Sequence, residues 1–150
     1  MSTATTHSVD DTHALGCALG AQLRAGDLIL LSGPLGAGKT ALVRGIGEGL
    51  AVRGPVTSPT FVIARVHPSM VGGPALVHVD AYRVGSLAEI DDLDLDASLD
   101  DSVTVVEWGR GKSESLSDER LEIDIEVIDD DTRRLTAHGV GARWHGVVLG

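Results

Sequence analysis

The run Gly33-Pro34-Leu35-Gly36-Ala37-Gly38-Lys39-Thr40 has the spacing G-x-x-x-x-G-K-T, and each residue type in it has a task in phosphate binding. Glycines let backbone N–H groups turn inward around phosphate oxygens, and the start of a following helix adds positive potential. The lysine ammonium reaches β- and γ-phosphates, and the threonine hydroxyl is a ligand for Mg²⁺. Leu35, Gly36, Ala37, Gly38, Lys39 and Thr40 are therefore the expected contacts to a nucleoside triphosphate. A glycine-rich turn that merely opens a helix has the same composition, so the elements on either side decide between the two readings.

Phosphoryl chemistry on such a loop also needs a carboxylate for the metal or its waters and a polar group to place the attacking water. Asp80 follows Leu76-Val77-His78-Val79, and Glu107 follows Val103-Thr104-Val105-Val106. In open α/β sheets ligands bind beyond the C-terminal ends of the strands, which makes both acids candidates and leaves open which one touches Mg²⁺. Acids also end strands simply because they are solvated, but these two share the edge that the loop requires. Thr60, within Thr57-Ser58-Pro59-Thr60-Phe61, lies where switch segments sense a γ-phosphate, although Ser-Pro and Pro-Thr are also common turn chemistry. Trp108 directly follows Glu107 and is placed to pack over a nucleotide or against a partner.

Directly before the loop, Leu28-Ile29-Leu30-Leu31 is a continuous apolar run, the pattern of a strand buried on both faces. Leu42, Val43, Ile46 and Leu50 then form an apolar helical stripe that ends by Gly54-Pro55. Strand, loop and helix are in the order a phosphate-binding loop demands. Ahead of them, Ser8-Val9-Asp10-Asp11 is a capping box with Asp in place of Glu, and it predicts a helix over 10–24. Residues 1–7 read as a loose N-terminus. Runs 61–66, 76–79 and 103–106 predict strands, with a turn-like stretch over 68–74. Ser86-Leu87-Ala88-Glu89 predicts a short helix, and 121–128 alternates like a strand with one wet face. Runs 135–140 and 144–149 complete the expected sheet. The whole is a single α/β domain over 1–150 of the P-loop NTPase type, with a mostly parallel centre, antiparallel edge strands and flanking helices.

Composition excludes several classes. There are 22 acidic against 12 basic residues and a net charge of −10, which argues against a nucleic-acid surface built from clustered Lys and Arg. Any RNA is expected to be held by a partner. No apolar run approaches the ~20 residues of a membrane-spanning helix, and no secretion signal opens the chain, so a soluble cytoplasmic protein is expected. Cys17 stands alone and reads as a packing residue. Asp92, Asp94 and Asp96 imitate a calcium loop, but Ala97 and Val103 occupy its Gly and Glu positions. The histidines have no zinc spacing, and no Gly-x-Ser-x-Gly elbow is present.

Guanine selection through Asn/Thr-Lys-x-Asp fails: the chain has no asparagine, and Lys112, its only lysine besides Lys39, precedes Ser113-Glu114. ATP is the expected nucleotide. The set Leu35 to Thr40, Ser58-Pro59-Thr60-Phe61, His78-Val79-Asp80-Ala81-Tyr82-Arg83 and Glu107-Trp108, in this order, closely resembles the TsaE family, formerly YjeE. The resemblance runs from the first helix to Arg120-Leu121-Glu122-Ile123; Pro34 departs from a position often acidic in relatives. It implies a bacterial ATPase that supports formation of N6-threonylcarbamoyladenosine at position 37 of tRNAs decoding ANN codons, acting on a TsaB–TsaD pair that holds the tRNA. It also implies Thr40 and Glu107 as Mg²⁺ ligands, Asp80 as the residue placing the water, with Lys39 and Glu107 completing the catalytic set, and Thr60 as the switch residue. Ser8 to Asp10 and Thr132-Arg133 resemble regions approaching the adenine, and Arg83 is an internal candidate for an arginine finger, a partner in trans being the alternative source. Rival readings are a nucleotide-gated binding module whose turnover is incidental, and a kinase for a small metabolite.

Overall fold

The Leu28-Ile29-Leu30-Leu31 run offers no polar side chain for a wet face, and it occupies the centre of the sheet in the computed structural model, which describes residues 2–34, 36–52, 64–80, 101–107, 119–147 and 149. Along the chain, β1 (Ser2–Thr6) and α1 (Val9–Gly20) precede β2 (Leu28–Ser32) and α2 (Lys39–Leu50). Then follow β3 (Ala64–His67), β4 (Ala75–Asp80), β5 (Ser102–Glu107), β6 (Arg120–Val127), β7 (Arg133–Val140) and a 3₁₀ turn at Ala142–Trp144. The described strands form one sheet in the order β1-β7-β6-β2-β5-β4-β3. Neighbours from β6 through β4 are parallel, and the β1, β7 and β3 pairings are antiparallel. This is the α/β architecture read from the sequence.

On one pleat face of the sheet, Ile29, Leu31, Val103, Val105, Ile123 and Leu135 share a core with Leu19, Leu42 and Ile46 of the two helices. The opposite pleat of the central strands is buried too, at Leu28, Leu30, Val77, Val79 and Val106, as parallel strands require. Strand β6 alternates, burying Leu121, Ile123 and Ile125 while intervening acids are less buried.

The helices touch backbone to backbone. A Cβ on Gly45 of α2 would lie 2.1 Å from the carbonyl oxygen of His13 in α1, and one on Gly20 of α1 would lie 2.4 Å from that of Ile46. Gly16 and Gly49 continue the seam. The Ser8 hydroxyl caps α1 by accepting from the Asp11 N–H at 3.0 Å, and the Asp11 carboxylate accepts from the His7 N–H at 3.0 Å. The helix ends at Gly20 instead of 24, because Gln22 and Leu23 switch to bonds with Leu19 and Gly20 carbonyls and the Arg24 N–H is taken by the Asp27 carboxylate at 2.8 Å.

Two expectations are corrected. Residues 2–6 are not loose; they pair along β7 from Ser2 with Ala137 to Thr6 with Arg133. The described residues among 144–149 form no strand. Gly141 at φ 104° and Gly146 at φ 85° turn the chain there, and Arg143 is drawn aside to the Asp27 carboxylate, with bonds of 2.8 and 2.7 Å. The expected helix after Ser86 and the acidic segment 92–96 lie outside the described residues, as do 61–63 of the run that ends in β3.

Candidate functional site

Strand register brings the separate sequence elements to one edge. Glu107 closes β5 opposite Leu31 of β2, two positions before Gly33, and opposite Asp80, which closes β4. The loop, Glu107 and the Asp80 backbone thus meet at the C-terminal ends of three adjacent parallel strands, the edge at which open α/β sheets bind ligands. For Asp80 only the backbone is described; Leu35, Thr60, Arg83 and Trp108 lie outside the described residues.

Within the loop, Gly36 has φ 80° and Gly38 φ 101°, left-handed conformations that glycine adopts without steric cost. Gly38 is the N-cap of α2 and has no side chain to cap it, so the first-turn N–H groups of the helix are the kind of donors that phosphate oxygens satisfy. Lys39 is only 7% exposed. Its Nζ donates to the carbonyl oxygens of Gly33 at 2.7 Å and Pro34 at 3.1 Å, which folds the ammonium back over the cradle. Thr40 stands in the first turn of α2, partly buried.

Arg133 reaches the other side of the loop. Its Nε donates to the Ala37 carbonyl at 3.2 Å, and its Nη1 to the Asp129 carbonyl at 2.6 Å. A trans peptide sets C=O and N–H in opposite directions, so holding the Ala37 oxygen turns the Gly38 N–H away from Arg133. The β6–β7 turn that presents Arg133 is itself fixed by Asp129, whose Oδ1 accepts from the N–H groups of Thr132 at 2.8 Å and Asp131 at 3.0 Å. Those two bonds, Thr132 first, hold the Asp129 carboxyl below its ordinary value. Ser8, Val9, Thr12, Gly36, Gly38 and Arg133 line a cleft beside the loop. The Ser8 and Arg133 regions, far apart in sequence, therefore share one cavity.

Glu107 is 5% exposed and His78 fully buried, with His78 Nε2 2.5 Å from Glu107 Oε2. Among the described residues no three His, Cys, Asp or Glu side chains gather as a ready-made metal cage. A hydroxyl and one or two carboxylates are nonetheless the protein donors that Mg²⁺ takes when substrate phosphates and water fill the rest of its shell, so the donor set of Thr40 and Glu107 fits that ion.

The model of the family described as Threonylcarbamoyl adenosine biosynthesis protein TsaE matches residues 6–135. This chain belongs to the TsaE family. A TsaE of Streptomyces coelicolor is 63% identical over 135 residues, covering 87% of this chain and 91% of the relative, and one of Mycobacterium tuberculosis H37Rv is 54% identical over 142 residues, covering 89% and 84%. The crystal structure of Bacillus subtilis YdiB superposes with a TM-score of 0.74 at 32% identity, covering 97% of this chain and 89% of that one.

Two features of this TsaE-family site escape a reading from motifs alone. The contact of His78 with Glu107 is one, although a histidine on the same strand parity as Asp80, inside a run buried on both faces, was a usable signal. The other is that Arg133 grips loop carbonyls, which depends on a tertiary approach that no local pattern announces.

Proposed function

We propose that this chain binds ATP with Mg²⁺ at loop 33–40, hydrolyses it slowly, and thereby supports tRNA threonylcarbamoyladenosine formation by homologues of TsaB and TsaD. The carrying observation is the register that sets Glu107 against both Leu31 and Asp80, at the edge where the Lys39 and Thr40 loop emerges. Family membership supports the tRNA-modification role, and the absence of asparagine with no Lys-x-Asp element supports ATP over GTP.

The phosphates of ATP draw the Lys39 ammonium away from the Gly33 and Pro34 carbonyls, since N–H donors bond more strongly to anionic than to neutral oxygens. Arg133 keeps the Ala37 carbonyl turned outward, so the Gly38 N–H remains available to phosphate. The Thr40 hydroxyl and Glu107 would hold Mg²⁺, which would supply charge neutralisation for the phosphates. Asp80 orients the attacking water. The acidic surface of the chain fits a helper that meets tRNA through its partners rather than directly.

Phosphate release is measured for the isolated protein and for the assembly with both partners, alongside multi-round modification of tRNA with ATP or GTP. Slow turnover alone, faster turnover in the assembly and loss of both turnover and repeated modification in Asp80→Ala are expected. Equal fast rates with and without partners refute the coupling. Intact repeated modification by a variant without turnover establishes a nucleotide-gated binding module instead.

A further inference from the structure

We propose that His78 is a positioning residue that fixes the Glu107 carboxylate for the metal; this rests on the Mg²⁺ role proposed for Glu107. His78 lies on β4 between Val77 and Val79, and its side chain has no accessible surface. In the sheet, Leu76 precedes it on the same pleat, Val105 faces it in register on β5, and Arg65 is its register partner on β3. An imidazole is a poor choice for filling such a site, because its ring nitrogens need partners. Among the described residues it has one, the Glu107 Oε2 at 2.5 Å, while Nδ1 has no hydrogen-bond partner.

This one-sidedness assigns the proton. A carboxylate only accepts, so the shared bond requires Nε2–H. Nδ1 then keeps a bare lone pair, which costs less than an N–H buried without an acceptor. The ring is thus a neutral single donor tied to one oxygen of one carboxylate. Glu107 has three side-chain torsions, and anchoring Oε2 on a strand neighbour removes most of that freedom. Oε1 is engaged by no described residue, so it is the oxygen left to meet the ion. Outer-shell donors of this kind typically contribute about 10- to 100-fold in metal affinity.

The test compares His78→Leu with His78→Gln, whose amide can offer an N–H to the same oxygen. Nucleotide affinity is measured by titration against Mg²⁺ and in EDTA, after thermal melts establish that each variant is folded. His78→Leu is expected to raise the Mg²⁺ concentration needed for half-maximal enhancement by about 10- to 100-fold, with affinity in EDTA unchanged and His78→Gln recovering most of the loss. Equal impairment of both variants, or of neither, overturns the proposal. In the metal-free wild-type protein, long-range ¹H–¹⁵N spectra are expected to show His78 protonated at Nε2; protonation at Nδ1 overturns it without any variant. Glu107→Gln separates the two levels. If that variant keeps its full Mg²⁺ dependence, the metal role of Glu107 fails; if it loses that dependence while His78→Leu keeps it, only the positioning role fails.

Discussion

Replacing Gly45 by alanine tests the helix seam that carries the loop. In an isolated helix this change stabilises by about 1 kcal/mol, since glycine is the poorer helix former. Here the new Cβ would lie 2.1 Å from the His13 carbonyl oxygen, 2.8 Å from the Cys17 nitrogen and 2.9 Å from the Gly16 Cα. All three are backbone atoms of α1, so no side chain can swing aside. The helices must separate by about 1 Å to restore van der Waals distance, which loosens the core residues on both sides of the seam. Overpacking of this kind costs about 1–3 kcal/mol with flexible neighbours, and a rigid backbone neighbour puts the cost at the upper end. After subtracting the helix gain, the net loss is about 2 kcal/mol. With an unfolding entropy near 2.1 cal/mol/K per residue, that lowers the melting temperature of a 150-residue chain by about 6 °C. Thermal and urea denaturation of both proteins measure it. A Gly45→Ala protein as stable as the parent, or more so, refutes the close approach, because propensity alone predicts that sign.

Arg143→Ala leaves the Asp27 carboxylate, 3% exposed, without its two guanidinium bonds; urea unfolding should show a loss of about 3 kcal/mol, and Asp27→Leu with Arg143→Met should recover most of it. Because the Asp129 carboxyl is held below its ordinary 3.8 in the folded chain, its stabilising effect is complete above that value and is lost as pH falls through the lower folded value. NMR titration of that carboxyl against Asp129 in an unfolded peptide reads the shift directly, and no shift refutes the turn geometry. Lys39→Ala should weaken ATP binding at least about 10-fold, the loss of a charge-assisted contact being worth about 1.5–3 kcal/mol, while leaving the fold cooperative; fluorescent-nucleotide titration checks it.

The centre of this molecule is legible because its information is local. An apolar run of four residues with no wet face fits an interior parallel strand, and G-x-x-x-x-G-K-T directly after it leaves one place for the loop. Strand β6 is legible for the same reason, its period of two recording one covered face. Strand β1 is not. Ser2-Thr3-Ala4-Thr5-Thr6 has no apolar alternation, and only the distant β7 makes it a strand. Trp144 and the residues after it have strand-like composition, yet the conformations of Gly141 and Gly146 and the pull of Asp27 on Arg143 decide otherwise. At the site, Asp80 and Glu107 are legible as strand-ending acids, whereas the bonds from His78 and Arg133 depend on which strands and turns become neighbours. The glycines at 16, 20, 45 and 49 carry a readable four-residue spacing, but taken one helix at a time they look like mere weaknesses in propensity.

The sheet order has a consequence for synthesis on the ribosome. Strand β1 is made first and has no partner until residues 133–140 exist, and β2 must wait for β5 and β6 on its two sides. The hairpin of β3 and β4 can pair early, but the buried leucines of β2 gain a strand partner only once β5 has been made, and their second partner, β6, follows later still. Folding is therefore dominated by distant contacts and should be slow. The waiting β1 is built from serine, threonine and alanine, a composition that gives a nascent edge little apolar surface with which to stick to its neighbours.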